Sequence, residues 1–188
     1  MSTQQDLNYR QLITLRDGVR VLLRPITPDD RQALIDLYHA AGPEDLRYMR
    51  HDVADRKVVE AWIDNLDYDW VLPLVALAGE RIVGNSTLHL GSGPTRHVAE
   101  VRIYLAKDFR RRGLGTRMLQ TLVDMAKRRH VHLILAQVVV DQTNEVKAFQ
   151  QMGFERKYTL ENFFMLPDGD LRDVVQLVLR LRAIHDEF

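Results

Sequence analysis

Val101-Arg102-Ile103-Tyr104-Leu105-Ala106-Lys107-Asp108-Phe109-Arg110-Arg111-Arg112-Gly113-Leu114-Gly115-Thr116 is the stretch that decides how this chain folds. An apolar run breaks into three arginines and two spaced glycines. Helical periodicity then starts at once, with Leu119, Leu122, Val123 and Ala126 on one stripe. A strand that turns abruptly into a helix leaves backbone N–H groups unpaired at the turn, and the helix dipole adds partial positive charge there. Glycine removes the Cβ that would keep a ligand away, and arginine supplies countercharge. The stretch therefore predicts a local anion site suited to a pyrophosphate. Neither G-x-G-x-x-G nor G-x-x-x-x-G-K-[ST] occurs, so the common nucleotide loops are excluded.

Upstream, residues 19–24 alternate as a half-buried strand does, and Pro25 ends it. Thr27-Pro28-Asp29-Asp30 carries helix-start chemistry ahead of Ala33, Leu34, Leu37 and Tyr38. A second helix is predicted over 55–66, with Val58, Val59, Trp62, Ile63 and Leu66 on one face. The period then changes to that of strands: Trp70–Ala78, a Gly79-Glu80 turn, Arg81–Leu90 with a bulge at Gly84, and His97–Leu105. Downstream, Val131–Val140 reads as a strand buried on both faces, and 142–152 as a short helix closed by Gly153. Strands over 154–165 and 172–182 complete the pattern.

With 188 residues, 46% of them hydrophobic, the chain suits one well-buried core, and a single domain over 1–188 with its core at 19–183 is expected. Its 26 basic and 26 acidic side chains cancel, so no global field draws it to nucleic acid or to an anionic membrane. Met1-Ser2-Thr3-Gln4-Gln5-Asp6 lacks the features of a signal peptide, and no run approaches the roughly 20 apolar residues of a membrane span. A soluble, cytoplasmic protein is expected. The absence of cysteine excludes a disulfide, a thiolate metal site and a cysteine acyl-enzyme, and no cluster has convincing metal-ligand spacing.

The pattern Arg110-x-x-Gly113-x-Gly115 after a strand resembles the acyl-CoA signature of the GCN5-related N-acetyltransferase (GNAT) superfamily. The segment from Asp141 to Phe154 resembles its second motif, an Asn-containing helix ending in Gly-Phe. The order of elements matches across about residues 19–183. The resemblance implies an α/β (α+β) fold: a mixed, mostly antiparallel sheet, splayed at its central strands and flanked by helices. It further implies that the pantetheine arm of acetyl-CoA pairs with the backbone of Ile103, Tyr104 and Leu105. Arg110 opens the signature, and Arg111, Arg112, Gly113, Leu114, Gly115 and Thr116 hold the pyrophosphate. Acetyl-CoA is thus the implied acyl donor, an amine the implied acceptor, and no metal is called for.

Two positions depart from the motif. Counting back from Gly153-Phe154, the family tyrosine that often protonates the CoA thiolate falls on Phe149, and the family asparagine on Gln142. Phe149 has no proton to give, so no general acid is assigned. The acceptor ammonium, with an ordinary pKa of about 10.4, must lose a proton before it attacks. Glu100, ten residues before Arg110, is the candidate base. That interval, together with Leu15-Arg16-Asp17-Gly18, is similar to bacterial Pat-type protein lysine acetyltransferases. The plain alternative for Glu100 is a strand carboxylate paired with Arg102 or Arg81, and His97 and His89 are substitute bases. The expected function is acyl transfer to a primary amine by direct attack; the alternative is a quiet acyl-CoA sensor. Sheet edges near the C-terminus leave a homodimer open, and the acceptor's identity is not written in the residues.

Overall fold

The structure, a computed structural model, describes residues 4–181. Met1–Thr3, part of the N-terminal reading above, and residues 182–183 of the expected last strand and core lie outside the described residues. The described residues gather into two compact units. One comprises those up to His89 together with Arg102–Leu122; the other comprises Leu90–Val101 and the residues from Val123 onward.

The first unit begins with α1 (Gln4–Leu7), β1 (Gln11–Thr14) and β2 (Arg20–Pro25). β1 and β2 form an antiparallel hairpin, Gln11 opposite Leu23 and Thr14 opposite Arg20. β1 was not expected, because four residues with two apolar side chains carry no readable period. After β2 a 3-10 turn, Pro28–Asp30, leads into α2 (Arg31–His39). Asp30 does not act as a solvated first-turn acid. Its buried carboxylate takes both arms of Arg24, each at 2.6 Å, and the Thr27 N–H at 2.7 Å. α3 (Pro43–Leu46) and α4 (Arg56–Asp64) follow, and Asp55 caps α4 by accepting from the Lys57 N–H at 2.9 Å. α2 buries Leu34, Ile35, Leu37 and Tyr38, and α4 buries Val59 and Ile63, so 3.6-residue periodicity becomes packing of the two helices on one another. Each such side chain removed from water contributes about 1.5–3 kcal/mol.

β3 (Val71–Ala78) and β4 (Arg81–Leu90) form a long hairpin, β3 also pairing with β2. The expected bulge is present: Ala76 pairs with Gly84 and Leu77 with Ile82, leaving Val83 as the extra residue beside Gly84. β5 (Val98–Leu105) follows, then α5 (Leu114–Arg128), its fully buried Leu114, Met118 and Leu122 forming the core stripe.

The second unit holds the start of β5, then β6 (Leu133–Val139), α6 (Thr143–Gln151), β7 (Glu155–Met165) and β8 (Leu171–Arg180). A parallel ladder joins Val98–Glu100 to Leu133–Leu135, and β5 runs on five residues further, to Leu105. β6 pairs antiparallel with β8, and β8 with β7. β6 was expected to be buried on both faces. Instead Leu133, Leu135 and Gln137 are half-buried between buried Ile134, Ala136 and Val138, and the Gln137 amide bonds Gln176 at 3.0 Å. Alternation of this kind marks a strand with one dry and one partly wet face. The eight strands follow the order β1-β2-β3-β4-β5-β6-β8-β7, antiparallel for β1–β2, β2–β3, β3–β4, β6–β8 and β8–β7 and parallel for β5–β6.

Candidate active site

In the first unit the predicted anion site is a real turn of backbone. From Leu105 a 3-10 turn, Lys107–Phe109, carries the chain to Arg110–Gly113, and α5 begins at Leu114. The first helical bond runs from the Arg117 N–H to the Gly113 carbonyl at 3.2 Å, so the N–H groups of Leu114, Gly115 and Thr116 form the open first turn. Gly113 has φ +87°, a left-handed conformation that a side-chain-bearing residue adopts only with strain. Arg111 itself has φ +60° and is exposed.

Gly115 also has a packing consequence that the sequence did not show. A Cβ there would stand 3.2 Å from Leu105 Cδ1, and a Cβ on Gly84 would stand 2.9 Å from Leu105 Cδ2 and from Met118 Sδ. Leu105 is therefore seated between two glycines that lie far apart in sequence. Ile103 and Leu105 are half-buried and Tyr104 is 8% exposed. The Ala106 N–H donates to the Val83 carbonyl at 2.9 Å, which fixes the end of β5.

The three arginines are not equivalent sources of countercharge. Arg110 donates to Asp45 Oδ1 of α3 at 2.6 Å and to the Leu105 carbonyl at 3.1 Å, so an acid neutralises it and it occupies one of the expected pantetheine partners. Arg112 is ion-paired with Asp17, lies 4.4 Å over the Phe109 ring and donates to the Asp108 carbonyl at 3.1 Å. Arg111 has no side-chain partner among the described residues. Arg81 pairs with Asp108 at 2.7 Å, so it is not the partner of Glu100.

An aromatic cluster includes Tyr104 of β5. Tyr38 lies 5.1 Å from Tyr104 and 6.0 Å from Trp62, and Trp62 lies 5.6 Å from His51. Burial pushes the Tyr38 hydroxyl far above its ordinary range although Asn85 donates to it at 2.9 Å. Burial, with Arg102 and Arg50 adding to it, holds His51 below the usual imidazole range, so this ring is neutral near pH 7. His51 was missed, because a lone histidine in an aperiodic segment carries no signal.

In the second unit, Glu100 is half-buried on β5 opposite Leu135. Gln142 is the residue before α6; its carbonyl accepts from the Val146 N–H at 3.1 Å, and its side chain makes no cap bond. Phe149 is half-buried edge-on against Phe154 at 5.1 Å, and its carbonyl accepts the Phe154 N–H at 3.1 Å. The ring at this position packs the helix end. The His97 and His132 rings are 5.9 Å apart; in the first unit, His89 Nε2 is 2.9 Å from the Thr87 hydroxyl. Among the described residues no group of three or more His, Cys, Asp or Glu could hold a metal, and no helix is long and apolar enough to cross a membrane.

Comparison with known proteins bears on this arrangement. The GNAT domain of PAT from S. lividans has the same fold: TM-score 0.76 at 24% identity, over 92% of this chain and 97% of that one. YncA of Salmonella typhimurium, solved with its cofactor acetyl-CoA, matches with TM-score 0.72 at 18% identity, over 86% of this chain and 94% of that one. An uncharacterised N-acetyltransferase of Methanocaldococcus jannaschii is 23% identical over 147 residues, 77% of this chain. The match spans 65% of the length of that curated relative. A family model described as the acetyltransferase (GNAT) family matches residues 31–154, from the start of α2 to the Gly-Phe pair that closes α6, which is well over half the chain. On that match, and on the shared fold, the chain belongs to the GNAT acetyltransferase family.

Proposed function

We propose that this protein is an N-acyltransferase that moves an acyl group, acetyl by default, from acyl-CoA to a primary amine on a protein lysine, an N-terminus or a small molecule, acting as a single domain. The observation that carries the reading is the turn from β5 into α5. There a strand end leads through a left-handed glycine into an open helical first turn. Pantetheine has two amides that need backbone partners, and a pyrophosphate needs N–H donors and positive charge. The β5 residues Ile103–Leu105 answer the first need and Arg111–Thr116 the second. Arg110, tied to Asp45 and Leu105, holds the turn in place.

The chemistry is direct attack in a ternary complex. The amine lone pair forms the C–N bond at the thioester carbonyl, the tetrahedral oxyanion is held by backbone donors, and the C–S bond breaks to release CoA thiolate. Glu100, three residues before Ile103 on the same strand, takes the proton from the acceptor. The thiolate needs no dedicated acid, because an ordinary thiol pKa is about 8.5. Gln142 replaces the family asparagine and Phe149 the family tyrosine. That replacement, with Phe149 serving as a packing residue, favours the second reading, an acyl-CoA sensor without turnover. Incubation with acetyl-CoA and a panel of amines and lysine peptides, read by mass spectrometry beside CoA titration, separates the two. Acetylated product supports the enzyme, binding without product supports the sensor, and neither binding nor product overturns both.

A further inference from the structure

We propose that Arg16, in the turn between β1 and β2, is a phosphate-binding residue of the acyl-CoA site. This rests on the acyl-CoA reading of the β5–α5 turn and extends it to a hairpin on which that reading made no demand. Two of the three adjoining arginines are already neutralised, Arg110 by Asp45 and Arg112 by Asp17. A CoA molecule brings a pyrophosphate and a 3′-phosphate, and the helix start offers only about half an elementary charge. More cationic charge is required close to Gly113, and Arg16 supplies it.

The geometry is specific. The Arg16 Nε lies 3.7 Å from where a Cβ on Gly113 would stand, so the guanidinium borders the one glycine of the turn whose left-handed backbone opens it to a ligand. Arg16 is exposed and has no ion-pair or hydrogen-bond partner among the described residues. Its turn is nevertheless fixed. The Gly18 N–H bonds the Leu15 carbonyl at 3.0 Å, the Leu15 N–H bonds the Val19 carbonyl at 2.8 Å, and the Val19 N–H bonds Asp17 Oδ1 at 3.2 Å. The same Asp17 carboxylate grips Arg112, and with this bond its pKa falls below the ordinary range against the opposing effect of desolvation. One residue of the turn thus anchors it to the loop while its neighbour is left unpaired beside the anion site. Arginine suits this position because its planar fork meets phosphate oxygens two at a time.

The test is isothermal titration of the full chain with CoA and with dephospho-CoA, on the wild type and on Arg16→Gln, Arg16→Lys and Gly113→Val, with melting curves to establish folding. Arg16→Gln should bind CoA about tenfold more weakly, the scale of one lost charge-assisted bond at a solvent-facing site, and Arg16→Lys should recover part of the loss. Loss for CoA alone assigns Arg16 to the 3′-phosphate, and equal loss for both ligands assigns it to the pyrophosphate. The salt dependence of binding should flatten in the glutamine variant. Wild-type affinity in folded Arg16→Gln, with Gly113→Val impaired, overturns this inference alone. Wild-type affinity in both overturns the acyl-CoA reading of the turn as well.

Discussion

Replacing Gly84 by valine tests whether the end of β5 is set by packing. Valine suits a strand, and removing a glycine from a strand interior is worth about 0.5–1 kcal/mol on its own. Against that stand two contacts of 2.9 Å from the first added carbon, to Leu105 Cδ2 and Met118 Sδ, and a third of 3.4 Å to Ala76 Cβ. Met118 is fully buried and has no free space to retreat into, whereas Leu105 is half-buried, so the clash falls mainly on Met118. Overpacking of this kind costs about 1–3 kcal/mol. The net expectation is a loss of about 1–2 kcal/mol, read as a lower urea midpoint at unchanged slope and a melting temperature lower by about 2–8 °C. Leu105→Ala should relieve part of the clash, so the double variant should be more stable than the sum of the single effects by about 0.5–1 kcal/mol or more. CoA affinity should fall in Gly84→Val and recover partly in the double variant. A Gly84→Val protein as stable as the wild type, or strict additivity with Leu105→Ala, would refute the seating of Leu105 between two glycines.

Asp30→Asn should lower stability by about 3 kcal/mol, because it leaves the largely buried Arg24 guanidinium without its partner. Burial alone would raise the Asp30 pKa, but Arg24 and the Thr27 N–H more than offset it, so the folded value lies below the ordinary one and the stabilisation is lost as pH falls through it. Urea midpoints of wild type and variant should therefore converge as pH falls below the ordinary carboxylate range, and a constant gap would contradict the assignment. Glu100→Gln should slow acyl transfer by about 10²–10⁴-fold near neutral pH, with CoA affinity nearly intact and a defect that shrinks as pH rises; a loss independent of pH would move the base to His51, His97, His89 or solvent. Phe149→Tyr should change kcat by less than about tenfold, whereas an inactive wild type rescued by that change would make the sensor the better account.

The strands and helices that carry the fold were legible where periodicity was strong: β2 through β5, α2, α4, α5 and the α6–Gly153 closure all stand within a few residues of expectation. The turn at Gly113 was legible as well, because a glycine pattern between a strand and a helix has few structural meanings. What the sequence hid was partnership across distance. Asp45 lies 65 residues from Arg110, and Asp17 lies 95 from Arg112, so nothing local marked those arginines as spoken for. Nothing local marks Arg16 either, since only the folded hairpin brings it beside Gly113. That Gly115 also leaves room for the Leu105 side chain is visible only once β5 and α5 are packed. β1 was invisible because a four-residue strand takes its identity from the β2 it pairs with.

The last strand in the sheet order carries a consequence for how the chain behaves in concentrated solution. β7 exposes Tyr158, Phe163 and Met165, a composition that ordinarily invites another chain to add itself as a further strand. Its ladder with β8 is interrupted twice, between Arg156 and Tyr158 and again between Leu160 and Phe164. Asn162 turns to φ +52° in the second break and gives its N–H to Asp173 Oδ1 at 2.9 Å. Regular pairing is thus confined to runs of two or three residues, and β1 at the opposite end of the order is only four residues long. Neither edge offers a row of backbone groups long enough to template growth. The breaks in β7 therefore act as a built-in solubility device, and straightening them would turn an apolar edge into a seed for aggregation.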